Sequence, residues 1–193
     1  MVSTVSVPAE SSPYNAAQVR IIDAALDLFA EYGVGGTSLQ MIADEVGVTK
    51  GAVYHQFNAK DEIVLAAAEA ELARLDAVIQ RAEAKGNRKQ ARDALLAGIV
   101  DMAVERGRTM STVLNDPVIA EFFADHDAFR DVMNRLRRLL IGDDAGPEAR
   151  VRTAMLIAAI SGAVMHPLVV DLDDGTLRVE LLRLARRFLG LPA

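Results

Sequence analysis

The sequence predicts an all-α fold with a small N-terminal three-helix unit and a larger helical unit behind it. Three observations support this prediction. Hydrophobic residues make up 51% of the 193-residue chain, with only six prolines. Apolar side chains recur at helical spacing over long segments, and alternating runs typical of strands are few. The length is sufficient for two units, each burying a core of its own.

The first predicted helix spans Ala16 to Tyr32, with Val19, Ile22, Leu26 and Phe29 on its buried side. Gly33 follows, and glycine commonly ends a helix in a left-handed conformation. Residues 1–15 are predicted to be a disordered tail. The first 13 of them contain no lysine or arginine, so they match neither a secretory signal nor a basic arm for the DNA minor groove.

The next segment predicts two short helices joined by a glycine turn. Thr37 is interpreted as the N-cap of the first, with Gln40 completing a capping box. Gly47 ends that helix, and Thr49 caps the second, which covers Lys50 to Gln56. This arrangement is a helix-turn-helix, a motif that places its second helix in the major groove of DNA.

The outward side of that second helix is nearly bare at Gly51 and Ala52, with Lys50 beside them. Glycine costs about 1 kcal/mol relative to alanine inside a helix, so its presence suggests that another molecule approaches closely. Lys50 and Lys60 each lie at a predicted helix start, where a phosphate would satisfy both the charge and the helix dipole; Asn58 is the expected cap before Lys60. The alternative is that both lysines are merely solvated. The predicted DNA-contact residues are Thr37, Gln40, Thr49, Lys50, Gly51, Ala52, Tyr54, His55 and Lys60.

Residues 21–66 resemble the DNA-binding domain of the TetR (AcrR) family of bacterial transcriptional regulators. The matching positions are Leu28, Phe29, Tyr32, Gly33, Thr37, Ile42, Ala43, Gly47, Val48, Gly51, Tyr54, Phe57, Lys60 and Leu65. The resemblance implies a homodimer that binds a near-palindromic double-stranded operator and is released by a small-molecule effector. It also implies a repressor located in the cytoplasm, with residues 16–62 as the DNA-binding domain and 63–193 as the ligand-binding and dimerisation domain.

The charge distribution limits the electrostatic part of DNA binding. Residues 1–62 contain three basic and eight acidic residues, a formal charge of −5, and the rest of the chain carries −1. Residues 46–60 nevertheless contain two lysines, one histidine and no carboxylate. We therefore expect a few local phosphate contacts and weak long-range steering.

Helical patterns continue through the larger unit, and its last two helices suit a four-helix dimer interface. The predicted helices cover Ala59–Lys85, Arg88–Arg106, Ser111–Phe123, Asp127–Ile141, Pro147–Val170 and Thr176–Leu189. The predicted dimer residues are Leu156, Ile160, Val164, Leu177, Leu181, Leu184 and Phe188. The alternative places both helices in the subunit's own core. The apolar run 154–170 is too short for a membrane span and contains His166 and Pro167.

The family resemblance places an effector cavity among the helices of the larger unit. The candidate lining residues are Met102, Met110, Phe122, Phe123, Phe129, Met133, Met155 and His166. Methionine adapts to irregular apolar shapes, and residues 63–193 contain no tyrosine or tryptophan, so we expect a mostly apolar effector. Ordinary core packing is the alternative for each methionine.

The sequence offers little support for catalysis. It has no cysteine, no phosphate-binding glycine loop, no nucleophile elbow and no paired histidines at metal-ligand spacing. We therefore expect no enzyme activity, metal or cofactor. Two alternatives remain: a regulator that activates or has lost ligand control, and an all-α small-molecule binding protein or enzyme whose helix-turn-helix is vestigial.

Overall fold

The computed structural model describes residues 13–114, 126–143 and 146–190, without the side chains of residues 108–114. These residues form eight α-helices, a short 3₁₀ turn and no strand, which confirms the predicted all-α fold. The helices are α1 (Ala16–Gly36), α2 (Leu39–Val46), α3 (Lys50–Gln56), α4 (Lys60–Glu83), α5 (Arg88–Leu114), α6 (Asp127–Ile141), α7 (Pro147–Ala163) and α8 (Asp174–Phe188), with the 3₁₀ turn at Pro167–Val169. Within the described ranges, no helix is both long and apolar enough to cross a membrane.

Helix α1 begins at a capping box that the sequence analysis missed. The Asn15 side chain accepts from the backbone N–H groups of Ala17 and Gln18, and the Gln18 side chain accepts from the N–H of Asn15. The helical geometry breaks at Gly33, where φ is 74°. The break confirms Gly33 as the end of the regular helix, although one further irregular turn reaches Gly36.

The predicted start of α2 is wrong by one residue, because Ser38 is the N-cap and Thr37 is buried. The Ser38 hydroxyl accepts from the N–H of Met41 at 3.2 Å. The Thr37 hydroxyl donates instead to the carbonyls of Leu28 (3.2 Å) and Gly33 (2.9 Å). These carbonyls belong to the end of α1, where helix acceptors lack partners of their own. The predicted capping box of Thr37 and Gln40 therefore does not form.

The turn between α2 and α3 follows the prediction. Gly47 has a left-handed backbone, with φ 76° and ψ 36°, and its N–H donates to carbonyls in the last turn of α2. Thr49 caps α3 through a hydrogen bond from the N–H of Ala52 at 3.2 Å. The two short helices are thereby held at a fixed angle.

Three groups of buried side chains form the core, and α4 contributes to two of them. The first joins α1, α2 and α3 to the beginning of α4, including Ile63 and Val64. The second joins the end of α4, including Val78 and Ile79, to α5 and α6. The third packs α5 against α7 and α8. The first core continues along α4 as far as Ala68. The predicted domain boundary at residue 62 stays a prediction.

Ionic contacts also connect the first core to α5. Glu71 of α4 is only 3% exposed, and its Oε1 lies 2.9 Å from Arg106 Nη1 and 3.6 Å from Arg74 Nε. Arg74 in turn lies 3.9 Å from Asp23 of α1. Arg106 occupies a bend in α5, with φ −140° and ψ 20°.

Two predicted helix ends in the larger unit differ from the structure by more than two residues. The helix expected to end at Arg106 bends there and continues to Leu114; the rest of the predicted Ser111–Phe123 helix lies outside the described residues. The helix expected to reach Val170 ends at Ala163. Pro167 lacks an N–H and disfavours helical geometry at the preceding residue, and His166 is accordingly extended (φ −80°, ψ 135°).

Candidate nucleic-acid interface

Helix α3 is fixed by its inner side and by contacts at its C-terminal end. Val53 is fully buried, and Phe57 packs beneath the helix with the Tyr14 ring at a centroid distance of 6.4 Å. Asn15 Nδ2 donates to the Gln56 side chain at 3.1 Å, and Gln18 Nε2 donates to the Gln56 carbonyl at 3.4 Å. The start of α1 therefore orients α3.

Tyr14 belongs to this support as a neutral hydrogen-bond donor. Its hydroxyl donates to the carboxylate of Glu69 on α4. Burial, with the hydrogen bond and negative charge of Glu69, raises the pKa of Tyr14 well above its ordinary value. The contact between the Tyr14 and Phe57 rings and this hydrogen bond to Glu69 together connect α3 to α4.

The outer face of α3, with its cap, is exposed and carries six of the predicted DNA-contact residues. They are Thr49, Lys50, Gly51, Ala52, Tyr54 and His55. Lys50 Nζ lies 5.7 Å from the centroid of the Tyr54 ring, a cation–π arrangement, and Tyr54 is 47% exposed. A positive charge and an aromatic hydroxyl therefore stand together beside a nearly bare stretch of helix.

Packing within the subunit does not require glycine at position 51. A Cβ placed there would find only the Thr49 hydroxyl within 4 Å, at 3.8 Å, and the backbone is helical. An alanine would fit and would favour the helix. The missing side chain is therefore consistent with the close approach of a molecule outside the subunit.

Lys60 makes internal contacts that the sequence analysis did not anticipate. Its ammonium donates to the carbonyls of Val34 (2.9 Å) and Thr37 (3.2 Å), so it ties the beginning of α4 to the end of α1. Lys60 is therefore not a purely solvated lysine, and a phosphate contact through its remaining N–H stays a prediction. The predicted cap Asn58 is also wrong: Ala59 is the cap residue, and Asn58 donates to Glu62 through its N–H (2.9 Å) and its side chain.

The remaining two predicted DNA contacts are separate from the outer face of α3. Thr37 is 2% exposed and its hydroxyl is used internally, which removes it as a side-chain contact to DNA. Gln40 is exposed on α2, with its amide donating to Asp44 at 2.8 Å. Six of the nine predicted contacts thus lie on α3 and its cap, and Gln40 stays a predicted contact.

The predicted dimer residues divide between the subunit's core and its surface. Leu156, Ile160 and Leu177 are buried in the subunit, so their assignment to an interface is wrong. Val164 and Leu181 are partly buried and pack against the same core. Leu184 and Phe188 are exposed. Helix α7 is apolar around its circumference from Ala154 to Ile160, and sequence spacing did not reveal which side α5 covers.

An apolar stripe on α7 and α8 was missed for that reason. It consists of Val151, Met155, Ala158 and Gly162 on α7 with Leu184 and Phe188 on α8, all exposed. A shallow cleft of about 440 Å³ brings Val151, Met155 and Phe188 together. The i, i+4, i+7, i+11 spacing of the α7 members could have indicated this alternative face.

The candidate effector residues do not converge on one described cavity. Met102 and Met133 pack against the second core, and Phe129 packs against the first. Met155 is 58% exposed on the apolar stripe and His166 is exposed beside the 3₁₀ turn, so both assignments to a cavity are wrong. The side chains of Met110, Phe122 and Phe123 lie outside the described part of the structure. No group of His, Asp and Glu able to hold a metal is found in the described ranges.

Comparison with known proteins identifies the same segment. Residues 21–67 match the family model described as bacterial regulatory proteins, tetR family. The HTH-type transcriptional regulator SrpR of Pseudomonas putida is 53% identical over 47 residues, which are 24% of this chain and 22% of that protein. The chain thus spans about a fifth of that relative's length.

Longer similarity extends through the larger unit. The HTH-type transcriptional repressor Rv1474c of Mycobacterium tuberculosis is 31% identical over 136 residues, which are 68% of this chain and 71% of the repressor. The fatty acid degradation regulator FadR of Bacillus halodurans has the same fold, with a TM-score of 0.69 and 18% identity over 92% of this chain and 96% of FadR. Because its helix-turn-helix matches the family model and it is similar to a repressor over most of both chains, this protein belongs to the TetR family of bacterial transcriptional regulators.

Proposed function

We propose that this protein is a dimeric, ligand-responsive repressor that places the outer face of α3 in the major groove of its operator. The observation that carries the proposal is the exposed, nearly bare surface at Gly51 and Ala52 beside Lys50 and Tyr54. A helix with so little bulk allows the protein backbone to lie close to base edges. Lys50 then contacts phosphate, and Tyr54 and His55 supply hydrogen-bonding groups.

A second subunit is required because one α3 offers few contacts. Each good base contact discriminates by roughly 1–3 kcal/mol, which is insufficient for one copy to select a genomic site. Twofold symmetry doubles the contacts and implies a near-palindromic operator. The apolar stripe is the surface we assign to dimerisation, since exposed contiguous apolar surface typically marks an interaction site.

Helix α4 provides the route for ligand control. It contributes Ile63 and Val64 to the first core and Val78 and Ile79 to the second. An effector that moves the C-terminal part of this helix also changes the position of α3 relative to its twofold partner. Effector and operator affinities are then coupled reciprocally. We expect a mostly apolar effector because the larger unit lacks tyrosine and tryptophan.

The DNA proposal is tested by capturing genomic fragments with the purified full-length protein and footprinting the recovered sites. Half-sites should be one helical turn apart, about 34–36 Å, or a multiple of that spacing. Lys50→Ala and Tyr54→Ala should each weaken operator binding at least about tenfold, or about 1.4 kcal/mol, while light scattering still shows a dimer. Lys89→Ala, a matched exposed lysine on α5, should leave the affinity unchanged.

The dimer proposal has its own matched pair of variants. Met155→Arg places a charge in the apolar stripe and should yield a monomer with weakened operator binding. Val179→Arg adds the same charge at an exposed position of α8 outside the stripe and should remain dimeric. Dimers in both variants would refute the assigned interface.

The failure of all genomic fragments to bind at modest salt would instead favour a small-molecule binding protein with a vestigial helix-turn-helix. If fragments do bind, thermal-shift screening of apolar compounds followed by operator release tests the effector. A compound that stabilises the protein and releases DNA supports ligand control. Stabilisation without release would indicate a regulator that has lost this coupling.

A further inference from the structure

A positively charged cleft lies where the end of α4, the start of α5 and the end of α6 meet. Its volume is about 640 Å³. The basic lining residues are Lys85, Arg88, Arg135 and Arg138, and the acidic ones are Glu83 and Asp143. This excess of positive charge stands out in a chain with a formal net charge of −6.

Of the four basic residues that line the cleft, one is paired with carboxylates of the described chain and three are not. Arg135 pairs with Glu83 at 2.6 Å and with Asp76. That pairing, with the nearby charge of Arg138, lowers the pKa of Glu83. The side chains of Lys85, Arg88 and Arg138 make no ion pair or hydrogen bond with any described residue. The cleft therefore keeps uncompensated positive charge.

Arg92, one turn beyond Arg88 on α5, does not line the cleft, but its charge interacts with that of Arg88. Its Nε is buried and has no hydrogen-bond partner among the described residues. Burial and the neighbouring charge of Arg88 lower the pKa of Arg92. Like charges at i and i+4 repel, and a bound anion would relieve that repulsion.

The absence of a side chain at Gly142 leaves room for the Arg88 guanidinium. A Cβ at residue 142 would lie 2.4 Å from Arg88 Nη2, so a side chain there would displace the guanidinium. Arg88 donates no hydrogen bond to the nearby backbone carbonyls of the described residues. The donor to the carbonyls of Gly142 and Asp143 is Arg137 Nη1, at 3.5 Å each. The guanidinium is placed at the cleft without a described partner.

We propose that this cleft binds a small anion bearing phosphate or carboxylate groups, held by Arg88 and Arg138 with Lys85 at the rim. Arginine recognises both groups through paired hydrogen bonds, and the volume falls in the range of small-molecule sites. Nucleic acid fits the position less well, since the 24 residues of α4 place the cleft about 36 Å along the helix from its DNA-proximal end. The anion site itself does not depend on the proposed regulatory function; only the preference for a small anion over nucleic acid rests on α3 being the DNA-binding helix.

The test titrates the full-length protein with pyrophosphate and, separately, with succinate, by calorimetry at constant ionic strength. Heat in one arm or both supports the site and identifies which chemistry it accepts. Arg88→Gln and Arg138→Gln should each weaken binding at least about tenfold, or about 1.4 kcal/mol. Arg150→Gln, an exposed arginine of α7 outside the cleft, should bind like the wild type.

Two outcomes would overturn the proposal. The first is that neither anion binds at millimolar concentration, and the second is that binding persists unchanged in both cleft variants. If neither anion binds the wild type but Arg88→Gln weakens DNA binding, the cleft is assigned to nucleic acid. Far-UV circular dichroism of each variant separates loss of binding from loss of folding.

Discussion

Replacing Arg106 with leucine should destabilise the folded protein by leaving the Glu71 carboxylate buried without its strongest partner. Breaking a buried ion pair by removing one partner typically costs about 3–5 kcal/mol. Two features of the structure reduce that value: Arg74 Nε remains 3.6 Å from the carboxylate, and the Arg106 side chain is itself 26% exposed. We therefore expect a loss of about 2–3 kcal/mol.

Urea denaturation followed by far-UV circular dichroism measures this loss. The protein concentration must be the same for all variants, because dimerisation would couple stability to concentration. For a chain of this size about 2–4 °C of melting temperature corresponds to 1 kcal/mol, so the variant should melt about 4–12 °C lower.

Arg183→Leu is the matched control. It breaks a pair with Glu180 in which the two side chains are 48% and 46% exposed. Exposed pairs contribute about 0–1 kcal/mol, so this loss should be much smaller. Equal losses in Arg106→Leu and Arg183→Leu would refute the reasoning.

The double variant Glu71→Leu with Arg106→Leu refines the interpretation. It removes the buried charge together with its partner, and apolar replacements of a buried pair are often neutral or stabilising. The double variant should therefore be more stable than Arg106→Leu alone. If it is less stable by the sum of the two single losses, the residues do not interact.

Three further predictions concern local contacts. Ser38→Ala should lower the free energy of unfolding by about 1 kcal/mol in urea denaturation, because it removes the cap of α2. Gly98→Ala should cost about 1–3 kcal/mol in the same assay, because its Cβ would lie 2.4 Å from Val78 Cγ1 where α4 and α5 pack. Thr176 holds the pKa of Asp173 below its ordinary 3.8 through hydrogen bonds from its side chain and backbone. The wild type should therefore lose stability as the pH falls below about 4, and Asp173→Asn should lose less over that range in acid titration.

Matched variants accompany two of these tests. Gln40→Ala should leave the free energy of unfolding nearly unchanged. A loss equal to that of Ser38→Ala would instead support the capping box predicted from sequence. Gly35→Ala meets nothing within 4 Å and should not destabilise the protein as Gly98→Ala does. A Gly98→Ala variant with the same free energy of unfolding as the wild type would mean that α4 and α5 can move apart without destabilising the protein.

Local signals in the sequence determined the helix-turn-helix. Gly33 and Gly47 adopt positive φ where the pattern placed helix ends, and Thr49 caps α3. These features depend on residues within one or two turns, so periodicity and capping rules can find them. The exposed residues of α3 were predictable for the same reason, since its buried side is set by Val53 and Phe57.

Tertiary structure decided which polar side chains are used internally. Thr37 and Ser38 are both suitable caps, but the carbonyl of Leu28, nine residues earlier, makes Thr37 the buried one. Lys60 showed no sign of an internal partner in the sequence, yet it donates to the carbonyl of Val34, 26 residues earlier. Such partners lie beyond the range of any local rule.

Tertiary structure also decided which face of α7 is buried. Its apolar residues surround the helix, so periodicity alone could not separate Ile160, which packs under α5, from Met155, which lies on the surface. The cleft at Arg88 likewise depends on α4, α5 and α6 meeting at one end. Sequence fixes a helix and its caps through short-range hydrogen bonds, whereas the choice of buried face and the convergence of distant charges depend on how the helices pack.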